Sequence, residues 1–435
     1  MRKLIKLVLS ALIPLTFTSC TFSSSVESLL SPPTLSEEQR QIYQALTDKV
    51  GSKVSLKYPK SGSYLSAFVI ADIDDEPTDE AIVFYERNGI TADEISLRIN
   101  ILDKRDGKWS SVYDSPANGT EVEKVIISQL GNSELTNIII GYNMSQGEKN
   151  LSVYNYSDGI LNQTYSDVYS MTDVCDIDSD GQSELIIITG NSASGTAQAK
   201  LLKLDESGQY LKYRTQMNES SIDYSQYLYS ENSDGTKTII VDSIVGTNTI
   251  QTEILSPAVN EALSYSLNSE ILVSTIRPSS YNSQDIDSDG IVEIPSTSVF
   301  PGYDDLSETE QIVMTNWLAY ENGLLYRKYS GYYSINDGYS FMMPERWYGN
   351  VTVKLDSFSD EVVFYHYNNS IEESTSEIMR IAVINSADDS GMLRDGYRLI
   401  HSKGDIEYFV SVPEQTADEF VPSLSEIICG FKFMV

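Results

Sequence analysis

The chain has 435 residues, 41 % apolar and 21 % charged, which is enough to bury two cores and excludes disorder as its main theme. Its 63 Asp and Glu stand against 30 Lys and Arg, a net charge of -33 that repels phosphate backbones and excludes nucleic acid as a partner. Two histidines, His366 and His401, and three cysteines, Cys20, Cys175 and Cys429, leave little for a zinc centre or a Ser/His/Asp triad, so any chemistry rests on carboxylates and hydroxyls.

Residues 1–19 open with Arg2, Lys3 and Lys6, run through apolar residues from Leu7 to Phe17 and end in Thr18-Ser19 before Cys20. This pattern is a secretory signal, too short to span a bilayer as a stable helix. Small residues directly ahead of a cysteine resemble the lipobox of bacterial lipoproteins, with Phe17 where that family usually has Leu. The resemblance implies cleavage before Cys20, a lipid on its sulfur, and a body anchored on the extracytoplasmic side of the membrane in the bacterial cell envelope. Loss of Arg2, Lys3 and Lys6 would take the charge from -33 to -36. No later apolar stretch approaches the roughly 18 to 20 residues of a membrane span. Residues 20–33, rich in Ser and Pro, read as a flexible tether. Residues 34–50 predict a short helix, with Ser36 as N-cap and Ile42, Leu46 and Val50 spaced by four. Cys175 and Cys429, in apolar contexts far apart in the chain, are expected as two separate buried thiols, with a disulfide between them as the alternative in an extracytoplasmic compartment.

Residues 52–331 carry a repeat of about fifty residues in two registers. One is an acidic loop running into an apolar strand, at Asp72 to Glu80, at Asp176 to Glu184 and at Asp285 to Glu293, with a worn copy at Gln129 to Glu134 that keeps its strand and loses its acids. The other is a hairpin signal at Asp106-Gly107, Asp158-Gly159, Ser207-Gly208 and Asn322-Gly323. The glycines lie 52 (107 to 159), 49 (159 to 208) and 115 (208 to 323) residues apart, and the last gap has room for one more unit. Five units of about four strands predict a β-propeller, against a β-sandwich pair or an open array as alternatives. The insertion from Pro295 to Gln311 is expected to project from the rim as a long loop.

In the acidic loops, carboxylates at alternate positions converge on one point, the glycine permits the sharp turn, and hard oxygen ligands suit Ca²⁺. The second loop offers Asp176, Asp178, Asp180, the carbonyl of Gln182, and Glu184; the third offers Asp285, Asp287, Asp289, the carbonyl of Ile291, and Glu293. The first offers Asp72, Asp74, Glu76 and Glu80, with Pro77 in the glycine position. An EF-hand would need Glu at position twelve, where Ile187 and Ser296 stand. The loops resemble the calcium loop of the FG-GAP and VCBS families of extracellular β-propellers, over about a dozen residues per copy. That resemblance implies structural Ca²⁺ between the first two strands of a blade, and no function beyond it.

Residues 332–435 break the rhythm and predict a small α+β domain. Strands are expected at Val351 to Leu355, Glu361 to Tyr367, Ile378 to Ile384, Tyr397 to His401 and Tyr408 to Val412, a helix over Thr416 to Ile428, and a closing strand at Gly430 to Phe433. Trp347, Phe364 and Tyr367 read as core or as the lining of a groove. The function expected is a calcium-stabilised, non-catalytic surface module that binds a protein, peptide or glycan. The alternatives are a carboxylate-based glycan hydrolase and a structural envelope spacer.

Overall fold

The computed structural model describes residues 35–87, 96–191, 196–258, 263–265, 269–356, 358–385, 396–413 and 418–433. The expected signal segment, Cys20 and the expected tether lie outside them. Ser36 caps the helix Glu37–Val50 through a reciprocal capping box with Gln39, and the helix buries Ile42 and Leu46. None of the described helices is long and apolar enough to cross a membrane.

The chain is mainly β. Four antiparallel meanders follow the helix: Phe68–Ala71, Glu80–Arg87, Leu97–Arg105 and Lys108–Pro116; then Glu121–Gln129, Thr136–Asn143, Lys149–Ser157 and Ile160–Val168; then Met171–Cys175, Glu184–Thr189, Gln198–Leu204 and Tyr210–Gln216; then Asp223–Glu231, Lys237–Gly246, Thr249–Pro257 and Leu263–Tyr265. Strand Val54–Lys57 adds to the first sheet beside Phe68–Ala71, on the same edge of Glu80–Arg87. The fifth sheet orders Ile294–Val299, Val313–Glu321, Leu324–Ser334 and Tyr339–Met342, and Phe431–Phe433 from the end of the chain completes it. A sixth sheet orders Val351–Asp356, Glu361–His366, Glu377–Asn385, Ile406–Ser411 and Tyr397–Lys403.

The second strand of each meander carries an unbroken apolar run, Ala81 to Tyr85, Ile138 to Ile140, Leu185 to Ile188 and Ile239 to Val241, because both faces are covered. In Glu184–Thr189, Leu185 and Ile187 pack toward the second sheet, while Ile186 and Ile188 pack toward the fourth. Ile138 and Ile140 face the first sheet and Ile139 the third; Ile239 and Val241 face the third and Ile240 the fifth. The sheets therefore stack in series, each sharing a core with the next. The free face of the first sheet is covered by helix Glu37–Val50, and the fifth shares its largest core with the sixth. Among the described residues no core cluster joins the first sheet to the fifth.

The hairpin turns fall where the sequence places them. Asp106 and Gly107, Asp158 and Gly159, and Asn322 and Gly323 all have positive φ, the pairing a two-residue type I′ turn requires. The fourth sheet uses Asn248, with φ 55°, at a turn without the Asp-Gly signal.

Several expectations are corrected. Pro295 to Gln311 is a loop only in its second half: Ile294–Val299 is a strand, Phe300 and Tyr303 are buried in the core shared with the sixth sheet, where Tyr303 Oη donates to the Val353 carbonyl at 2.7 Å, and Asp304 to Glu310 are exposed. The fifth sheet also runs across the expected boundary at residue 332, since Leu324–Ser334 pairs with Tyr339–Met342. The C-terminal helix is Leu424–Gly430, capped by Ser423; Phe420 precedes it, and residues 416 and 417 lie outside the described residues. Cys429 is exposed and Cys175 half-buried, so neither is the buried thiol expected. Of the two readings of Trp347 and Phe364, the core reading holds: both are fully buried.

Candidate metal centres and an opposing cleft

Each acidic loop is folded by its own side chains. The fourth loop residue takes positive φ, Asp75 at 64°, Ser179 at 59° and Ser288 at 62°, which turns the chain back on itself. Gly181 and Gly290 follow at 87° and 88°, and their amides donate to Asp176 and Asp285 at 3.0 and 2.9 Å. Pro77 has no such amide, and in the first loop the Asp75 amide donates to Asp72 instead, at 2.8 Å.

The last residue of each loop is a buried glutamate at the head of the second strand. Glu80 and Glu184 each accept the amide of the loop's second residue on Oε2, from Ile73 and Ile177, both at 3.1 Å. Their Oε1 atoms, with Asp176 Oδ1, are buried without a hydrogen-bond partner. Burial pushes both glutamates up to about 7, and neighbouring aspartates add to the rise. In the first loop Asp72, Asp74 and Glu80 each place a carboxylate oxygen within 4.8 Å of the others, as Asp176, Asp178 and Glu184 do in the second. Buried, mutually repelling oxygens with unused lone pairs are the donor set of a hard divalent cation, so both loops fit a metal ion.

The third loop does not fit. Asp285, Asp287 and Asp289 converge in the same way, but the Lys328 ammonium sits among the acids, 3.0 Å from Asp287 Oδ2, 2.6 Å from Asp289 Oδ2 and 2.7 Å from Glu293 Oε1. Glu293 Oε2 accepts the Ile286 amide at 3.0 Å, so both its oxygens are used, and Asp287 Oδ2 also accepts Tyr329 Oη at 2.6 Å. Asp287 Oδ1 alone stays unpartnered. Burial pushes Asp287 up, but the hydrogen bonds from Tyr329 and Lys328 outweigh it and hold the carboxyl below the usual range.

Other expected ligands are placed as follows. Glu76 is exposed and outside the first cluster. Asp180 lies outside the second; its Oδ1 accepts the Gln182 amide at 2.8 Å and its Oδ2 is 3.6 Å from Lys203 Nζ. Ile291 donates its amide to Asp289 Oδ1 at 2.9 Å.

Two residues outside the motif complete the picture. In the strand beside Glu80–Arg87, the residue next along from the Ala81–Leu102 pair is Asp103, buried, whose negative charge helps to raise Glu80. Exposed Arg105 covers it at 2.5 Å. In the worn loop, the ninth residue is Asn137, fully buried, whose Oδ1 accepts the Leu130 amide at 3.1 Å. Asn137 thus makes the same bond as Glu80 and Glu184 without a charge.

At the opposite end of the strands lies a cleft of about 500 Å³. The turn at Gly147 to Lys149, the link at Val168 to Met171, Thr189-Gly190 and the segment Ile222 to Ser225 line it, so three consecutive sheets contribute. Strand Glu184–Thr189 carries the loop acid on its first residue and the cleft on its last, roughly 17 Å apart at about 3.3 Å per residue. Lys149 lies over the Tyr169 ring at 5.9 Å, and the exposed carboxylates Glu148 and Asp223 share the rim.

No protein-family model matches the chain, and no curated protein does. Among solved structures it is similar to an exo-type rhamnogalacturonan lyase (11 % identity, 70 % of this chain, TM-score 0.27), of whose chain it spans 60 %. It is similar also to a GH32 β-fructofuranosidase of Bombyx mori (12 %, 70 % of this chain and 72 % of that one, 0.27) and to an α-L-arabinanase of Penicillium chrysogenum (8 %, 82 % and 96 %, 0.28). At these scores the likeness carries neither a fold nor an activity to this chain.

Proposed function

We propose that the protein is a calcium-stabilised, non-catalytic binding module on an incomplete propeller, lipid-anchored through Cys20 on the extracytoplasmic side of a bacterial envelope membrane, with a glycan as its ligand. One contrast carries the calcium reading: at the ninth loop position all three side chains bury an unpartnered polar atom, but the worn loop folds with the neutral Asn137 amide where Glu80 and Glu184 place an acid. The turn does not need that charge, so its retention in two loops points to a cation. Asp72, Asp74 and Glu80 would hold one ion and Asp176, Asp178 and Glu184 another, and the ion would clip each loop to its sheet.

The propeller reading is supported by the serial stacking of five meanders and by Lys124, whose ammonium reaches from the second sheet to Asp173 in the third at 3.1 Å and to Tyr227 in the fourth at 3.3 Å. First strands that meet in this way curve around a common axis. The cleft at Lys149, Tyr169 and Asp223 is the ligand site. Its exposed carboxylates Glu148 and Asp223, the Lys149 ammonium and the hydroxyls of Ser170 and Ser225 are groups that hydrogen-bond a polyhydroxylated chain, beside a Tyr169 ring that is itself buried.

The test is a glycan array probed with the labelled protein and with its Lys149→Ala, Asp223→Ala double variant. Retention of a glycan set that the variant loses supports the reading; equal retention, or none by either protein, contradicts it.

A further inference from the structure

We propose that Lys328 is the resident cation of the third loop, so that the chain takes up two divalent ions, at the first and second loops, and not three. This rests on the calcium reading above. The three acidic loops share one spacing and the bond from the second residue's amide to the closing glutamate, and motif quality in the sequence puts the third, Asp285-Ile286-Asp287-Ser288-Asp289-Gly290, level with the second and ahead of the first, which has Pro77 for glycine. What surrounds each loop reverses that order.

A β-bulge delivers the lysine. Trp317 pairs with Tyr329 and Leu318 with Arg327, which leaves Lys328 as the extra residue of its strand. A bulge re-aims the side chain it carries. The matching hairpins of the first and second sheets are bulged at the same place, where the extra residues are Val112 and Thr164, and the hairpin of the third sheet keeps a regular register. Only in the fifth sheet does the bulged residue bring a cation. An ammonium has three protons, and three carboxylates surround this one. A divalent ion would compete for the same oxygens against a positive charge already in contact with them. In the second loop Lys203 lies 3.6 Å from Asp180, while Glu184 Oε1 and Asp176 Oδ1 remain unpartnered. In the first, a fourth carboxylate, Asp103, replaces the lysine, and the Arg105 paired with it is exposed. The loop with Pro77 in place of glycine is therefore the most cation-hungry of the three.

The experiment counts calcium bound to the full chain by equilibrium dialysis in excess calcium, for the wild type and for Lys328→Met. Two ions in the wild type and three in the variant are expected. Three in the wild type, or an unchanged two in a variant with the wild-type circular dichroism spectrum, overturns the assignment and leaves the calcium reading standing. Zero in both proteins overturns the calcium reading itself. Should Lys328→Met fail to fold, Asp287→Asn and Asp178→Asn decide: the first is expected to leave two ions and the second one, and a count lowered by Asp287→Asn overturns the proposal.

Discussion

Asp242 and Arg277 form an ion pair at 2.7 Å with both side chains withdrawn from solvent. Arg277 also donates to the Thr252 hydroxyl, the Ser283 hydroxyl and the carbonyls of Thr275 and Tyr281, while Asp242 accepts from the Ser283 amide and from Gln226. The pair pins the crossing segment between the fourth and fifth sheets, and each charge is satisfied only by the other and its neighbours. Removing one partner strands the other, at about 3–5 kcal/mol. Arg277→Met is expected to lower the urea midpoint accordingly; a loss under about 1 kcal/mol would show that the segment does not depend on the pair.

Asp167 should contribute to acid sensitivity. Burial pushes its carboxyl up, but hydrogen bonds from Lys200 at 2.6 Å and Tyr165 at 2.5 Å outweigh that and hold it below the usual range. The folded chain therefore keeps this carboxylate at pH values where the unfolded chain takes up a proton. Its stabilisation is present above about pH 4 and is lost as pH falls through the folded-state value. Melting temperatures of the wild type and Asp167→Asn should differ at pH 7, by about 1.5–3 kcal/mol in stability, and converge below pH 4. A gap constant from pH 7 to pH 3 would contradict this origin.

Glu184→Gln should change sign with calcium. Without metal the substitution removes a buried, unpartnered charge, so the variant should melt at or above the wild type; with calcium it lacks a ligand and should melt below it. Differential scanning calorimetry of both proteins in calcium and in EGTA reads the crossing. A variant that melts lower under both conditions would reduce Glu184 to an ordinary structural acid.

Gly131 marks how the worn loop compensates for its lost acids. At φ 56° it donates its amide to the Ser183 carbonyl at 2.8 Å, and a Cβ placed there would lie 2.2 Å from the Leu204 carbonyl oxygen. Gly131→Ala should destabilise the contact between the second and third sheets by about 1–3 kcal/mol or more. Hydrogen exchange should accelerate at Asn132 and Leu204 first; uniform exchange would contradict the close approach.

Much of this architecture is legible in the sequence because it is local. The capping box of Ser36 and Gln39, the Asp-Gly turns and the doubly apolar strands all depend on residues within a few positions of one another. What escapes is set by partners far along the chain. Phe300 and Tyr303 look like loop residues until the sixth sheet arrives to cover them, and Phe431–Phe433 joins a strand some ninety residues earlier. The metal loops divide in the same way. Their acids are plain in the sequence, but Asp103 and Lys328 matter through strand register and a bulge, and neither leaves a signature at its own position. Asn137, nine residues into the worn copy where the other loops have glutamate, lies beyond the Gln129 to Glu134 stretch that marks that copy in the sequence.

The central claim is that cations hold the acidic loops, and the most direct measurement is a thermal melt of the protein in calcium and again in EGTA, with bound metal counted by mass spectrometry. The account predicts two bound ions and a rise in melting temperature that grows with calcium, worth about 2.7 kcal/mol per site at a hundredfold excess over the dissociation constant. Identical melts with no metal bound would contradict it and leave Glu80 and Glu184 as buried acids that hold a turn.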